Sequence, residues 1–173
     1  MTRYLCLAMC LLPICCNSQS FDIKGVRLGM TKGALIAMHP GVVCGTENAV
    51  PFCVSGAAVD AKRGYAESLH TIADQPTNSW EFLLDEKGKI GKVSIKLRME
   101  SCPDVATGFR GKYGKPTKTV SALIDMDTWL RKDESLAVTG MQVESAGCRI
   151  DLASKPFVDA KMRAAEKSKA KDL

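Results

Sequence analysis

Histidine is scarce in this 173-residue chain, which contains only His39 and His70. A Ser-His-Asp triad needs a histidine as its general base. His39 precedes Pro40 at the end of a predicted helix, where it complements the helix dipole, and His70 lies in a predicted strand. We therefore predict that neither histidine is catalytic. Because the sequence also lacks a Gly-x-Ser-x-Gly segment, a phosphate-cradling loop and a dinucleotide fingerprint, we expect a non-enzymatic protein without a cofactor.

Metal-binding signatures are also missing from the sequence. There is no Cys-x-x-Cys pair, so the cysteines do not have the spacing of a zinc site. Asp125 and Asp127 are paired carboxylates, a pattern that suits calcium binding or acid–base chemistry. We instead expect these two side chains at a strand edge in a solvated turn, and we predict no metal site.

Acidic residues are absent before Phe21, and this region has the features of an export signal. Arg3 is followed by an apolar run from Tyr4 to Cys16, which is too short to span a bilayer of about 20 helical residues. Small residues then suit a signal peptidase. Ser18 and Ser20 favour a cut before Phe21, whereas a cut before Gln19 is the alternative. We predict that residues 1–20 are a signal peptide and that the product is periplasmic or secreted.

Lipidation is an alternative fate for this leader, with Cys15 and Cys16 as the candidate sites. Cys15 has Leu12 at position −3, but Ile14 at position −1 does not suit a lipobox, and Cys16 follows another cysteine. We favour simple export, and a lipidated product would be anchored at the outer membrane. No other stretch is long and apolar enough to be transmembrane.

The charge of the exported part is mildly basic. Without Arg3, the 24 basic residues fall to 23 against 19 acidic ones, a formal charge of +4. These charges are mixed along the chain, and the only basic cluster is the C-terminal tail. Nucleic-acid binders usually concentrate their basic residues in a stripe, so we predict no nucleic-acid partner.

Four cysteines remain after the leader: Cys44, Cys53, Cys102 and Cys148. An even number in an exported domain predicts two disulfides, and three pairings are open. We favour Cys44–Cys53, which closes a short loop. The other bridge is then Cys102–Cys148, which ties a helix start to a late strand.

Apolar and polar residues alternate in a way that predicts an α+β fold. Trp80–Leu84 and Ile90–Arg98 read as a hairpin, residues 41–66 as a loop with short strands, and residues 118–153 as a strand meander. Helices are predicted at 32–38 and from Ser101 to Gly114. We expect an antiparallel sheet with two short helices packed on one face and a peripheral C-terminal helix. The predicted units are a domain at 21–155, with a hint of a two-unit pseudo-repeat, and a charged helix at 156–173.

Trp80 and Trp129 are candidates for a ligand groove because each lies in a predicted strand. Tryptophan in a strand is more often an anchor of the core. We therefore favour the core interpretation and keep the groove as the alternative.

The segment from Phe21 to Thr31 resembles a group of uncharacterised exported proteobacterial proteins that open with Phe-x-x-x-Gly-x-x-Leu-Gly-Met. Other similar features are the paired Cys44 and Cys53, Lys112–Pro116, Trp129 and the Asp172-Leu173 ending. More distantly, Leu28–Thr31 resembles the Gly-Met-Thr helix entry of the BamE/SmpA-type outer-membrane lipoproteins. Those are small α+β modules that bind other envelope proteins.

This resemblance, with the absence of catalytic motifs, implies a periplasmic protein-binding module in envelope assembly or maintenance, whose partner is an envelope protein. The alternative is a secreted inhibitor of an envelope-attacking hydrolase such as a lysozyme, a role that suits small disulfide-bonded domains. Lysozymes are usually basic, however, and a formal charge of +4 does not complement them.

Overall fold

The computed structural model describes residues 20–56, 64–121, 124–141 and 147–169. Within these ranges the chain forms an antiparallel sheet of nine strands and three α-helices, which confirms the mixed α+β class. The elements are α1 (Lys32–Met38), β1 (Val43–Glu47), β2 (Val50–Gly56), β3 (Thr71–Ile72), β4 (Gln75–Leu84), β5 (Ile90–Leu97), α2 (Cys102–Tyr113), β6 (Lys118–Val120), β7 (Ile124–Leu130), β8 (Glu134–Met141), β9 (Cys148–Ser154) and α3 (Lys155–Lys169).

The order of strands across the sheet is β1-β2-β4-β5-β9-β8-β7-β6, and the short β3 pairs with β4 beside this path. Each half contains a helix followed by a four-strand meander, α1 before β1, β2, β4 and β5, and α2 before β6 to β9. The last strands of the two halves, β5 and β9, pair antiparallel at the centre. The two halves therefore have the same order of main elements, whereas an internal duplication stays a prediction.

The β4–β5 hairpin was the clearest prediction from alternation, and it is confirmed. Asp85 organises the turn, since its Oδ1 accepts hydrogen bonds from the backbone N–H groups of Lys87 at 2.9 Å and Lys89 at 2.8 Å. Gly88 has a φ of 68°, a left-handed conformation that glycine adopts without steric cost.

Residues 41–66, predicted as a loop with short strands, contain two paired strands in a regular hairpin. β1 and β2 form a hairpin whose register runs from Val43 opposite Val54 to Glu47 opposite Val50. Asn48 and Ala49 close it with φ values of 49° and 61°, as a two-residue turn matched to the strand twist requires. The glycine and proline content of this segment concealed the hairpin. Residues 57–63 lie outside the described residues.

Other boundaries also differ from the sequence predictions. The predicted strand that contains His70 is a 3-10 turn at Glu67–Leu69 followed by the two-residue β3. Thr31 caps α1, since its hydroxyl accepts a hydrogen bond from the Ala34 N–H at 3.3 Å. Ser101, where the second helix was predicted to begin, does not cap α2, because its hydroxyl donates to Gln75 at 3.1 Å instead.

The core lies on one face of the sheet, which we call the inner face, centred on Trp80 and Phe82 of β4. α2 contacts this face, where Phe109 packs edge-on against Trp129. Leu35 of α1 belongs to the same core cluster. Further buried side chains of the inner face are Val93, Ile95, Leu136, Val138, Ile150 and Leu152.

α3 contacts the sheet through Phe157. A Cβ atom on Gly91 would lie only 2.2 Å from the Phe157 ring, so the close approach of this helix to β5 requires glycine there. Further along α3, Met162 is 59% exposed. No helix in the described part of the chain is long and apolar enough to cross a membrane.

Two disulfides are present, and they have the pairing favoured from the sequence. Cys44–Cys53 joins directly opposed residues of β1 and β2. Cys102–Cys148 joins the first residue of α2 to the first residue of β9. The second bridge therefore fixes α2 to the centre of the sheet.

Candidate functional site

The second face of the sheet, which we call the outer face, is the more exposed one. It carries Lys92, Ser94 and Lys96 of β5 and Arg149 and Asp151 of β9. Side chains alternate between the two faces of a strand, so these residues point away from the buried inner-face row. Exposed or partly exposed residues of an ordered sheet form a fixed surface, and the outer face is therefore a candidate interaction surface.

A network of charged hydrogen bonds occupies the centre of the outer face. The Asp151 carboxylate lies 3.2 Å from Lys92 Nζ and 2.8 Å from Arg149 Nε. It also accepts a hydrogen bond from the Ser94 hydroxyl at 2.7 Å, and Ser94 is almost fully buried among these long side chains. Bonds to ionised groups are stronger than neutral ones, so this network holds its members in one arrangement.

The first part of β7 places polar residues inward and apolar residues outward, although Trp129 further along the strand points inward into the core. Ile124, Met126 and Leu130 lie on the outer face, where Ile124 is 39% and Leu130 is 55% exposed. Asp125 and Asp127 point to the inner face, toward α2. Antiparallel sheets usually place apolar residues inward and polar residues outward. This arrangement exposes an apolar strip along β7 that the folding of the described residues does not bury.

Apolar side chains also occur at the other margin of the outer face. Val43 of β1, which is 38% exposed, lies opposite Val54 of β2, and Phe52 lies beside them. The outer face thus combines two apolar margins with a charged centre.

The prediction that the two aspartates lie in a solvated turn is wrong. Both lie within β7, and Asp127 is only 5% exposed. Its carboxylate accepts from Arg110 Nε at 2.8 Å and from the Thr119 hydroxyl at 2.8 Å. The prediction failed because Arg110 lies 17 residues earlier, on a helix whose position only the tertiary structure defines. Asp125 is exposed and accepts from the Ser121 hydroxyl.

A cavity of about 570 Å³ lies beside these aspartates, between α2 and strands β6–β8. Its polar lining includes Arg110, Asp125 and Asp127, and its apolar lining includes Met99, Ala106 and Val138. This volume is within the range of small-molecule sites. Sequence reasoning missed the cavity, although the Asp-x-Asp pattern marked one of its walls.

Trp80 and Trp129 belong to the core of the protein. Trp80 is 1% and Trp129 is 3% exposed. Each indole N–H is satisfied within the protein, Trp80 by the Leu69 carbonyl and Trp129 by the Gly114 carbonyl. Their burial favours the core interpretation over the groove.

His39 lies at the C-terminal end of α1, as predicted, and its side chain is buried. It is 3% exposed, its Nδ1 lies 2.7 Å from the Ser68 hydroxyl, and its Nε2 has no hydrogen-bond partner in the described parts of the chain. Burial lowers the pKa of His39 below its usual value, and the positive charge of Lys24 acts in the same direction. His70 ends a 3-10 turn instead of lying in the strand predicted for it, and it packs edge-on against Tyr65.

We expect the free energy of unfolding to fall as the pH is lowered from 7 to 5 because of His39. Its folded pKa is depressed, so the unfolded state binds the proton more readily, and the stability present above the unfolded pKa of about 6.5 is lost below it. Denaturant unfolding at several pH values measures this loss. The free energy of unfolding should depend less on pH in His39→Gln, whereas His70→Gln should keep the pH dependence of the unsubstituted protein. The same pH dependence in the unsubstituted protein and both variants would contradict the prediction.

Comparisons with protein-family models, with curated proteins and with solved structures find no match to this chain. The similarity to BamE/SmpA-type lipoproteins therefore stays a prediction. Residues 1–19, with the candidate lipidation sites Cys15 and Cys16, and the Asp172-Leu173 ending lie outside the described residues.

Proposed function

We propose that this protein is an exported, non-enzymatic binding module that docks an envelope protein on its outer face and thereby assists envelope assembly or maintenance. The outward-facing apolar residues of β7 are the observation that carries this proposal. Ile124 and Leu130 expose apolar surface on the same face as the charged network, from which β7 is separated by strand β8. Burying this strip against a partner contributes about 25 cal/mol per Å² of apolar surface.

The arrangement of the helices also supports the outer face as the docking surface. We place α1 and α2 on the inner face and α3 at the periphery, which leaves the outer face to a partner. The Cys102–Cys148 bridge restrains α2 and β9, so little order has to be gained on binding. A preorganised surface binds more tightly because it loses less conformational freedom. The two disulfides also suit an oxidising compartment, in agreement with export.

The charged centre supplies specificity in this proposal. Lys96 is exposed, and Arg149 is partly exposed while bound to Asp151, so both present positive charge to a docking surface. Charged groups at an interface set the register of docking and disfavour wrong partners more than they raise affinity.

Site-specific crosslinking in the native envelope tests the proposal. A photoreactive residue at position 130 or 96 should capture one and the same envelope protein, whereas the same residue at position 38, on exposed Met38 of α1, should not. Leu130→Asp should reduce the captured amount at least tenfold. Met162→Asp, which changes an exposed methionine on α3, is the matched control and should leave it unchanged.

Either of two results would contradict the proposed surface. Equal capture from positions 130 and 38 would show that the contact does not depend on the outer face. Unchanged capture with Leu130→Asp would show that the apolar strip is not part of the interface. Leu130 is more than half exposed, so its substitution leaves the fold intact. A cell-wall hydrolase as the sole partner would favour the inhibitor function instead.

A further inference from the structure

Several contacts hold Phe21 firmly against the body of the domain. The Phe21 ring is 1% exposed and packs edge-on against Tyr113, with ring centres 5.2 Å apart. The Arg131 guanidinium lies over the same ring, 4.0 Å from its centre. The next residue is also held, since the Asp22 N–H donates to the Tyr113 hydroxyl at 3.1 Å. Chain termini are usually poorly ordered unless such contacts fix them.

A carboxylate faces the backbone nitrogen of this anchored residue. Phe21 N donates a hydrogen bond to Glu134 Oε2 at 2.9 Å, and the Ser20 hydroxyl donates to Glu134 Oε1 at 2.8 Å. Glu134 begins β8 and is half-buried. Within the described residues, Glu134 forms no ion pair with a lysine or arginine side chain. Its charge therefore faces the Ser20–Phe21 peptide rather than a cationic side chain.

We propose that the chain is cleaved between Ser20 and Phe21 and that Glu134 is the receptor for the new N-terminus. Hydrolysis of this peptide bond by a leader peptidase adds the hydroxyl of water to the Ser20 carbonyl carbon and a proton to the Phe21 nitrogen. The released amine is protonated at neutral pH, because α-amino groups have a pKa near 8. An ammonium group then lies at hydrogen-bond distance from Glu134 Oε2.

Processing in this way replaces a neutral donor with a charged one at the same position. The ammonium has three protons, so it can bond both Glu134 oxygens, including the one released by Ser20. Charge-assisted hydrogen bonds are roughly twice as strong as neutral ones. Two cations also lie close by: Arg131 over the Phe21 ring, and Lys112, which bonds the Asp22 carbonyl at 2.6 Å. They oppose the ammonium, whereas Glu134 and Asp22 favour it.

The geometry also distinguishes the two cleavage sites that the leader sequence leaves open. A cut before Gln19 keeps the Phe21 nitrogen as an amide and places the new ammonium two residues away from the Glu134 contact. Only a cut before Phe21 creates the ion pair. Cleavage occurs on the unfolded chain during export, so the burial of Phe21 in the folded protein does not obstruct it.

Two mature forms released from a cleavable fusion test the inference. One form starts at Phe21 and the other at Gln19, and both are also made with Glu134→Gln. At pH 7 we expect the Phe21 form to melt roughly 2–5 °C higher than the Gln19 form, and the difference to disappear with Glu134→Gln. The difference should also shrink above about pH 8, where an unpaired α-amino group loses its proton.

Intact mass of the protein purified from its native envelope gives the second measurement. A mass that begins at Phe21 is expected. A mass that begins at Gln19 or elsewhere would overturn the inference, and so would a melting difference that persists unchanged in the Glu134→Gln pair. Glutamine keeps an acceptor oxygen, so this variant tests the charge rather than the hydrogen bond alone.

Discussion

Removing the Cys102–Cys148 bridge is expected to lower the free energy of unfolding by about 4 kcal/mol. The bridge spans 46 residues, and the chain-entropy model relates the loss to the length of the closed loop. Replacing both cysteines with alanine avoids a free thiol. Because the bridge also joins α2 to β9, its removal should loosen the helix that holds Arg110 against Asp127. Denaturant unfolding followed by far-UV circular dichroism measures the change.

The Cys44–Cys53 bridge provides the matched control for this experiment. It spans 9 residues and joins an edge strand to its neighbour, so its removal should cost less, roughly 2.5 kcal/mol on the same model. A larger loss from the short bridge than from the long one would contradict the prediction. It would mean that the long bridge does not stabilise the protein by restricting the unfolded chain.

Trp80→Ala is expected to destabilise the protein by about 3–5 kcal/mol, because it removes the largest fully buried side chain of the core. Trp80 packs against Phe82, with ring centres 5.8 Å apart, and donates to the Leu69 carbonyl at 2.7 Å. The alanine variant loses both contacts and leaves a cavity. Thermal and denaturant unfolding of the purified protein give the magnitude.

Trp80→Phe separates the packing of the indole from its hydrogen bond. The Leu69 carbonyl also accepts from the Thr77 hydroxyl at 2.7 Å, so it keeps a partner in this variant. We expect phenylalanine to cost less than half as much as alanine. A loss below about 1 kcal/mol for Trp80→Ala would contradict the core role and return Trp80 to consideration as a ligand contact.

Alternation was a reliable guide where two paired strands follow one another directly in the sequence. The β4–β5 hairpin was predicted correctly because Trp80 and Phe82 alternate with polar residues and a turn follows at once. The same rule failed in the β1–β2 segment, where Gly45 and Pro51 conceal the pattern. Turn chemistry at Asn48-Ala49 was the signal that could have identified this hairpin.

The candidate interface was harder to predict than the fold. The outer face joins residues of β5, β7 and β9, and their proximity depends on the strand order rather than on any local motif. Asp125 and Asp127 illustrate the difficulty, because a polar residue in a strand normally indicates a solvated face. Here Arg110 and Thr119 satisfy Asp127 from the inner side, which allows the apolar residues of β7 to point outward.

By itself, the sequence determined the class of fold, the regular hairpin at β4–β5 and the number of disulfides, because these depend on alternation, local turns and the cysteine count. Only the tertiary structure decided which side chains of each strand face the core. It also decided which residues form hydrogen bonds with His39 and Asp127, and which carboxylate accepts the hydrogen bond from Phe21 N. Ser68 lies 29 residues from His39, and Glu134 lies 113 residues from Phe21. Contacts between such distant residues arise from the packing of the whole sheet, and no local pattern encodes them.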